Sequence, residues 1–415
     1  MSLPASGMSA DDVLAALEDM RTKDVRWRDG RAFTLAYYAG PEVHQLAEHV
    51  FASFMTDNAL NTDAFPSLRR IQAEVVEIVN GWLQGGPDAA GFMTSGGTES
   101  ILLAVKAARE RGRAERGIST PNVVLPASAH AAFEKGAHYF GVESRRVPVA
   151  ADWRADVAAM EAAIDEDTVL VVASAPQYPQ GVLDPVPEVA ALAAARDISC
   201  HVDACMGGVT LPYLERLGES VPPWNFTVEG VTSMSVDLHK FGYTGKGASV
   251  ILHRDRRLRS YQTFVTDNWL GGLYGSSGML GTKSGSAMAA AWAVLHHLGD
   301  DGYLRLAAAA RRACLELVAG IESMPELALR AKPDTMLFAF GAAEPDRLDV
   351  FAVADALWRR GWYVDRQGPP DSLHCTVNAV HDGRIPEFLA DLRQVIDEVV
   401  RAAASGDRGA YGTVE

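Results

Sequence analysis

Residues 235–247 read Ser-Val-Asp-Leu-His-Lys-Phe-Gly-Tyr-Thr-Gly-Lys-Gly. A β-rich run, 231–236, leads into this stretch and an apolar run, 248–252, leaves it. The turn between them carries two of the chain's seven lysines, Lys240 and Lys246. Lysine ordinarily lies on a solvated face. A His-Lys pair at a strand end, followed by Gly242, Gly245 and Gly247, is different. The glycines let the backbone turn tightly and approach a ligand, and the strand gives the lysine a rigid support. That suits an amine that must bond covalently to an aldehyde cofactor. An exposed glycine-rich hairpin would read the same on this stretch alone, so the other motifs decide.

Upstream, residues 91–106 read Gly-Phe-Met-Thr-Ser-Gly-Gly-Thr-Glu-Ser-Ile-Leu-Leu-Ala-Val-Lys. Ser95, Gly96, Gly97 and Thr98 stand where a helix over 98–113 is predicted to begin. Free amides and hydroxyls at a helix start make an anion site, although a plain capped helix would also explain Thr98 and Glu99. The run lacks Gly-Lys-Ser/Thr, so it is not a Walker loop, nor is it a dinucleotide fingerprint. Strands are then predicted at 122–125, 144–149, 169–174 and 199–203, with helices at 131–139, 153–164 and 187–196 between them. Such alternation indicates a mostly parallel sheet covered on both faces, with ligands collecting at the carboxyl ends of its strands. Asp203 ends one strand and precedes Gly207-Gly208, where a buried carboxylate needs a partner. A cap or an arginine would serve, as would a protonated ring nitrogen. His130, just past another strand end, is a capping residue or a second group at the same sheet edge.

Composition sets the outer limits. The chain has 415 residues, 48% hydrophobic and 22% charged, with formal charge −15. An acidic surface argues against nucleic acid or an anionic membrane as partner. The four cysteines, Cys200, Cys205, Cys314 and Cys375, form no metal-ligand or disulfide pattern, which fits reduced thiols in the cytoplasm and no metal. No signal peptide or membrane-spanning run is expected. The organisation predicted is an N-terminal arm (1–57), a large domain (58–293), a small α+β domain (294–404) and a disordered tail (405–415). The small domain is read as helix 303–322, strands 327–331 and 336–340, helix 350–360, strands 363–366 and 372–379, and helix 384–404.

Four ordered motifs agree with one another: Met-Thr-Ser-Gly-Gly-Thr-Glu-Ser at 93–100, Ser-Ala-His-Ala-Ala-Phe at 128–133, His-Val-Asp-Ala-Cys-Met-Gly-Gly at 201–208 and Val-Asp-Leu-His-Lys-Phe-Gly-Tyr at 236–243. With Phe-Pro-Ser-Leu-Arg at 65–69 and Gly-Val-Leu-Asp-Pro-Val-Pro-Glu at 181–188, they resemble the group II decarboxylase superfamily of fold-type-I pyridoxal-phosphate enzymes, and within it the sphingosine-1-phosphate lyases. The resemblance covers about residues 36–380. It implies an α/β fold of the fold-type-I transferase kind and pyridoxal 5′-phosphate as cofactor. Lys240 is then the cofactor-linking lysine, and Asp203 pairs with the pyridinium nitrogen. His130 stacks on one ring face and Cys205 touches the other. Ser95, Gly96, Gly97, Thr98 and His239 hold the phosphate, helped by Gly281 and Thr282 from a partner subunit of a homodimer. Lys246, Tyr38 and Tyr178 face the substrate, with Asn58, Asn61, Lys283 and His374 as further substrate-side groups.

The activity so implied is cleavage of the Cα–Cβ bond of a phosphorylated long-chain amino alcohol. Two departures from the lyase pattern bear on substrate. Asn58-Ala-Leu-Asn61 stands where Asn-Pro-Leu-His is usual, and Thr282-Lys-Ser-Gly-Ser286 where Ser-Arg-Pro-Gly-Gly is usual. The second exchange keeps a cation but not the bidentate guanidinium. The alternative is an amino-acid decarboxylase, which needs an arginine for the α-carboxylate; His374 stands in that place. A third reading is an inactive cofactor-binding homologue with a regulatory role, against which the joint presence of Lys240, Asp203 and His130 speaks.

Overall fold

The computed structural model describes residues 3–412. Its centre is a seven-stranded sheet: β1 (Ala90–Thr94), β2 (Asn122–Pro126), β3 (Glu143–Val147), β4 (Thr168–Ser174), β5 (Ser199–Asp203), β6 (Ser233–Val236) and β7 (Ser249–His253), in the order β1-β7-β6-β5-β4-β2-β3. β7 runs antiparallel to both of its neighbours, and the other strand pairs are parallel. Strands β2, β4, β5, β6 and β7 are buried along their whole length. Their near-continuous Val, Leu, Ile and Ala content is what a sheet covered on both faces demands. The alternation of strand and helix was legible, but β1 was not. It reads Ala-Gly-Phe-Met-Thr and gains its partner only from β7, some 160 residues later.

A hairpin of β8 (Phe264–Thr266) and β9 (Tyr274–Ser276) follows, with Leu270 and Leu273 exposed near its tip. The helical run Ser286–Glu322 then leads out of the large sheet. Two helices, 287–298 and 303–322, were expected here, and two are found: the helical run is broken at Gly299, whose φ of 58° and ψ of −177° leave the helical path. Next comes an antiparallel four-stranded sheet of β10 (Leu327–Leu329), β11 (Leu337–Ala342), β12 (Asp365–Gln367) and β13 (Ser372–Thr376), ordered β10-β11-β13-β12. The Ile385–Ala402 helix buries Phe388, Leu392, Val395, Ile396 and Val399 along one stripe, the spacing of an amphipathic helix.

The sequence predicts a disordered tail over 405–415; residues 413–415 lie outside the described residues, and those from 404 to 412 run as a strap. The amide of Gly406 donates to Asp349 at 3.0 Å and that of Asp407 to Asp355 at 3.2 Å, while Arg408 reaches Asp371 at 3.3 Å. Backbone amides held by distant carboxylates leave no periodic apolar pattern, which is why the strap is invisible to sequence reading.

The two sheets meet at Gly181. Its φ is +72°, and a Cβ there would lie 1.9 Å from the carbonyl oxygen of Leu337 on β11. Gly117 has the same left-handed backbone, φ +68°, but open space around it. Gly117→Ala therefore isolates the backbone cost, about 1 kcal/mol. Gly181→Ala adds steric overlap with a backbone atom and is expected to cost about 3 kcal/mol or more. Denaturant unfolding of the two variants checks this; equal losses would disprove the docking role of Gly181.

Candidate active site

The carboxyl ends of the parallel strands converge on one cavity of about 360 Å³. β1 delivers Ser95–Thr98, the turn after β2 delivers His130, and β4 delivers Ser174, Pro176 and Tyr178. β5 contributes Asp203, Cys205 and Met206, and β6 contributes Asp237, His239 and Lys240. Thus ten of the residues singled out in the sequence line one space: Ser95, Gly96, Gly97, Thr98, His130, Tyr178, Asp203, Cys205, His239 and Lys240.

Lys240 Nζ lies 2.9 Å from Asp237 Oδ2, three residues earlier across the turn. Burial alone would push the lysine's pKa down, yet the Asp237 carboxylate outweighs it and holds the ammonium above the usual lysine range. Burial likewise opposes ionisation of Asp237, but Lys240 and then His239 keep its carboxyl below the ordinary value. Asp237 had no assigned role in the sequence reading. Its signal was the Asp-Leu-His-Lys spacing, which puts carboxylate and amine on the same side of one turn.

Pyridoxal phosphate fits the groups present. The Gly97–Arg116 helix starts at the cavity with no side-chain cap, so its first amides are free for an anion. A Cβ on Gly97 would lie 2.7 Å from Asp237 Oδ2 and 2.8 Å from Cys205 Sγ, so only glycine leaves the cradle open. His239 Nδ1 and Asp237 Oδ1 are buried without a hydrogen-bond partner among the described residues, and buried polar atoms left so are uncommon. Asp203 accepts from the Cys205 amide at 3.1 Å and the Ser235 hydroxyl at 3.2 Å. His130 is anchored by the Ala132 amide, 3.1 Å from its Nδ1, and burial pushes its pKa down.

Several expected residues lie elsewhere in this chain. Tyr38 faces Trp27 and His44 with ring centroids 5.8 and 5.7 Å away. Its neighbour Tyr37 is the tyrosine beside the lysines: its ring lies 5.3 Å from Lys246 Nζ, and Lys240 acts on its hydroxyl. In this irregular segment the two side chains point different ways, and within this chain Tyr37, not Tyr38, lies beside the lysines. His374 is fully buried behind Tyr178, stacked on it at 4.0 Å, with Nε2 bonded to Thr376 at 3.0 Å. It backs the cavity wall and does not face the cavity.

Asn58, Asn61, Gly281, Thr282 and Lys283 also lie outside this chain's own cavity. Asn58 bridges to Ser284, and the Ala59 amide donates to the Lys283 carbonyl at 2.8 Å. Lys283 Nζ bonds the Met93 carbonyl at 3.0 Å, on the edge strand β1. Two loops thus form one unit on that edge. Lys246 lines a separate, mainly apolar cavity of about 450 Å³ that shares His239 with the first. Burial and then the Lys240 charge bring its pKa down to about 8.

Tyr411 is a site residue that sequence reasoning missed. The strap sets its ring 5.9 Å from His130 and 5.7 Å from Tyr178, at the wall of the main cavity.

The Lys240–Asp237 pair generates a test on the cofactor-free protein. Asp237→Asn leaves a partly buried ammonium without its partner, which should destabilise the fold by less than the ~3–5 kcal/mol typical of a fully buried pair. Competitive acetylation should also find Lys240 reacting at lower pH than in the wild type. Unchanged reactivity would mean that Asp237 does not hold the lysine.

Residues 2–342 match the pyridoxal-dependent decarboxylase conserved domain. The chain is 38% identical to sphingosine-1-phosphate lyase 1 of Rattus norvegicus over 420 residues, covering 100% of this chain and 73% of the relative. It is 32% identical to a probable sphingosine-1-phosphate lyase of Legionella pneumophila, covering 99% and 73%. A solved sphingosine-1-phosphate lyase of Burkholderia pseudomallei superposes with a TM-score of 0.92 at 38% identity, over 97% of this chain and 94% of that one. A glutamate decarboxylase of Lactobacillus brevis, at 20% identity and a TM-score of 0.85, shares the fold. The chain therefore belongs to the sphingosine-1-phosphate lyase family of fold-type-I, pyridoxal-phosphate-dependent enzymes.

Proposed function

We propose that the protein is a carbon–carbon lyase that cleaves the Cα–Cβ bond of a phosphorylated long-chain amino alcohol, releasing a long-chain aldehyde and phosphoethanolamine. The observation that carries this reading is the lining of the cavity: an amine, a carboxylate and a free helix start converge there, with no guanidinium among the lining residues. A substrate α-carboxylate would call for one, so the decarboxylase alternative is the weaker fit.

When bound, pyridoxal phosphate supplies an aldehyde for the lysine and an electron sink for the bond broken at the substrate's Cα. Lys240 would hold it, the amides of Gly97 and Thr98 with Ser95 and His239 would take its phosphate, and Asp203 would receive its ring nitrogen, with His130 and Cys205 beside it. Lys240 must lose a proton before its nitrogen can form a bond; Asp237, held below the ordinary carboxyl range, orients the ammonium and does not take that proton. Burial holds the hydroxyls of Tyr37 and Tyr178 well above the ordinary phenol range, so both act as neutral hydrogen-bond donors. Lys246, with a pKa near 8, is the group matched to taking a β-hydroxyl proton near neutral pH.

We assign the loops of Asn58–Asn61 and Gly281–Lys283 to the cavity of a second copy in a homodimer. Their position on the β1 edge, away from their own Lys240, supports this, as do exposed Trp269, Leu270 and Leu273 on the neighbouring hairpin. Among the described residues no helix is long and apolar enough to cross a membrane. The four free, buried cysteines fit a reducing compartment such as the cytoplasm.

Phosphorylated long-chain amino alcohols and common amino acids, assayed side by side, test the reaction: aldehyde release from the former is expected, and carbon dioxide release from the latter would overturn the proposal. Borohydride reduction of the loaded enzyme followed by peptide mapping should mark Lys240; a mark on Lys246 or Lys283 would move the centre. Lys246→Ala should keep that mark while turnover falls about 10²-fold. A base must be unprotonated, so wild-type turnover should rise with pH through about 8, and that limb should vanish in Lys246→Ala. Asn61→His should favour phosphorylated substrates. Mixing inactive Lys240→Ala with Lys283→Ala chains should restore activity if sites are shared, and should not if each chain is self-sufficient.

A further inference from the structure

Behind Asp203, on the side away from the cavity, lies a buried polar chain that the reaction as described does not use. His201 precedes Asp203 by two residues on β5, so both side chains leave the strand on one face. The parallel register sets His201 opposite Ser233 and Asp203 opposite Ser235 on β6. His201 is fully buried, with Nδ1 at 2.8 Å from the Ser233 hydroxyl and Nε2 at 3.2 Å from the Ser235 hydroxyl. Ser235 Oγ lies 3.2 Å from Asp203 Oδ1.

The directions of these bonds follow from what each group can do. The Ser235 hydroxyl donates to Asp203 Oδ1, which uses its one proton. Its oxygen then accepts from the Cys205 thiol, at 3.3 Å, and from His201 Nε2. Burial pushes the His201 pKa down to about 4, so the ring is neutral and carries one N–H. That N–H is on Nε2, and Nδ1 accepts from Ser233. Every donor points toward Asp203, and bonds aligned in one direction polarise one another. Oδ1 is thereby occupied by the Ser235 hydroxyl and the Cys205 amide, while Oδ2 has no hydrogen-bond donor among the described residues.

We propose that His201 and Ser235 are positioning residues, which fix the rotation of the Asp203 carboxylate so that Oδ2 meets the cofactor's ring nitrogen. This rests on the assignment of Asp203 to that nitrogen. A merely structural polar core would stabilise the sheet without regard to what the ring carries at that position.

The test uses cofactor-free protein and two probes, pyridoxal phosphate and its analogue with a C–H in place of the ring nitrogen, each titrated by absorbance. Wild type should prefer pyridoxal phosphate. Ser235→Ala should erase about tenfold of that preference, the scale of one hydrogen bond to a charged group, while binding of the analogue stays unchanged. Ser233→Ala, one bond further out and less intrusive, should reduce the same preference by a smaller factor if Ser235→Ala does not fold. A preference that survives in the variants, or equal weakening of both probes, overturns the positioning role while leaving Asp203 in place. A wild type with no preference overturns the Asp203 assignment, and the positioning role with it.

Discussion

An ammonium group taken out of water has to be matched by a carboxylate nearby, and the site is built outward from that requirement. Lys240 is partly buried at the cavity wall, and the fully buried Asp237 meets it at 2.9 Å. For the two to meet, the chain must turn within three residues of the end of β6. The turn closes when the His239 amide donates to the Ala248 carbonyl at 3.0 Å, just before β7. β7 then has to return antiparallel, which opens the place beside it that β1 fills. β1 in turn brings the Gly97 helix start to Asp237, so close that a single added methyl would collide. The ion pair, the reversed strand and the glycine cradle are therefore linked features of one turn.

What could be read from sequence and what could not divide along physical lines. Lys240, Asp203, His130 and Ser95–Thr98 each stand just past an apolar run. An α/β sheet gathers such positions at one edge whatever the details of its packing, so these residues were legible together. Asp237 was in plain view, but its role depends on a side-chain direction within a turn. Tyr37 and Tyr38 differ by one position in an irregular segment, where no period says which of them faces inward. Ser233 and Ser235 read as ordinary strand residues, and only the register against β5 places them beneath Asp203. Tyr411 lies in a segment held by amides on carboxylates, with no apolar stripe to announce it. The misses are thus cases where direction or long-range pairing decides, and residue type alone does not.

The segment after β4 serves two purposes at once. Its first half supplies Pro176 and Tyr178 to the cavity wall. Its second half docks on the C-terminal unit: Gly181 packs against the Leu337 carbonyl, the Asp334 amide donates to the Gly181 carbonyl at 3.2 Å, and the Leu183 amide donates to the Asp334 carboxylate at 2.8 Å. Tyr178 itself bridges the two units, stacked on His374 with its hydroxyl 3.2 Å from Asp365 and 3.1 Å from Thr34. Tyr411 then closes against Tyr178 from the strap, which is tied to the same unit through Asp349, Asp355 and Asp371. One face of the cavity is thus held by the large sheet and another by the small one. Tyr178 touches the second sheet and Tyr411 lies in its strap, whereas Lys240 and Asp203 are carried by the first. Stability at the Gly181 contact and the shape of the substrate side are therefore set by the same bonds.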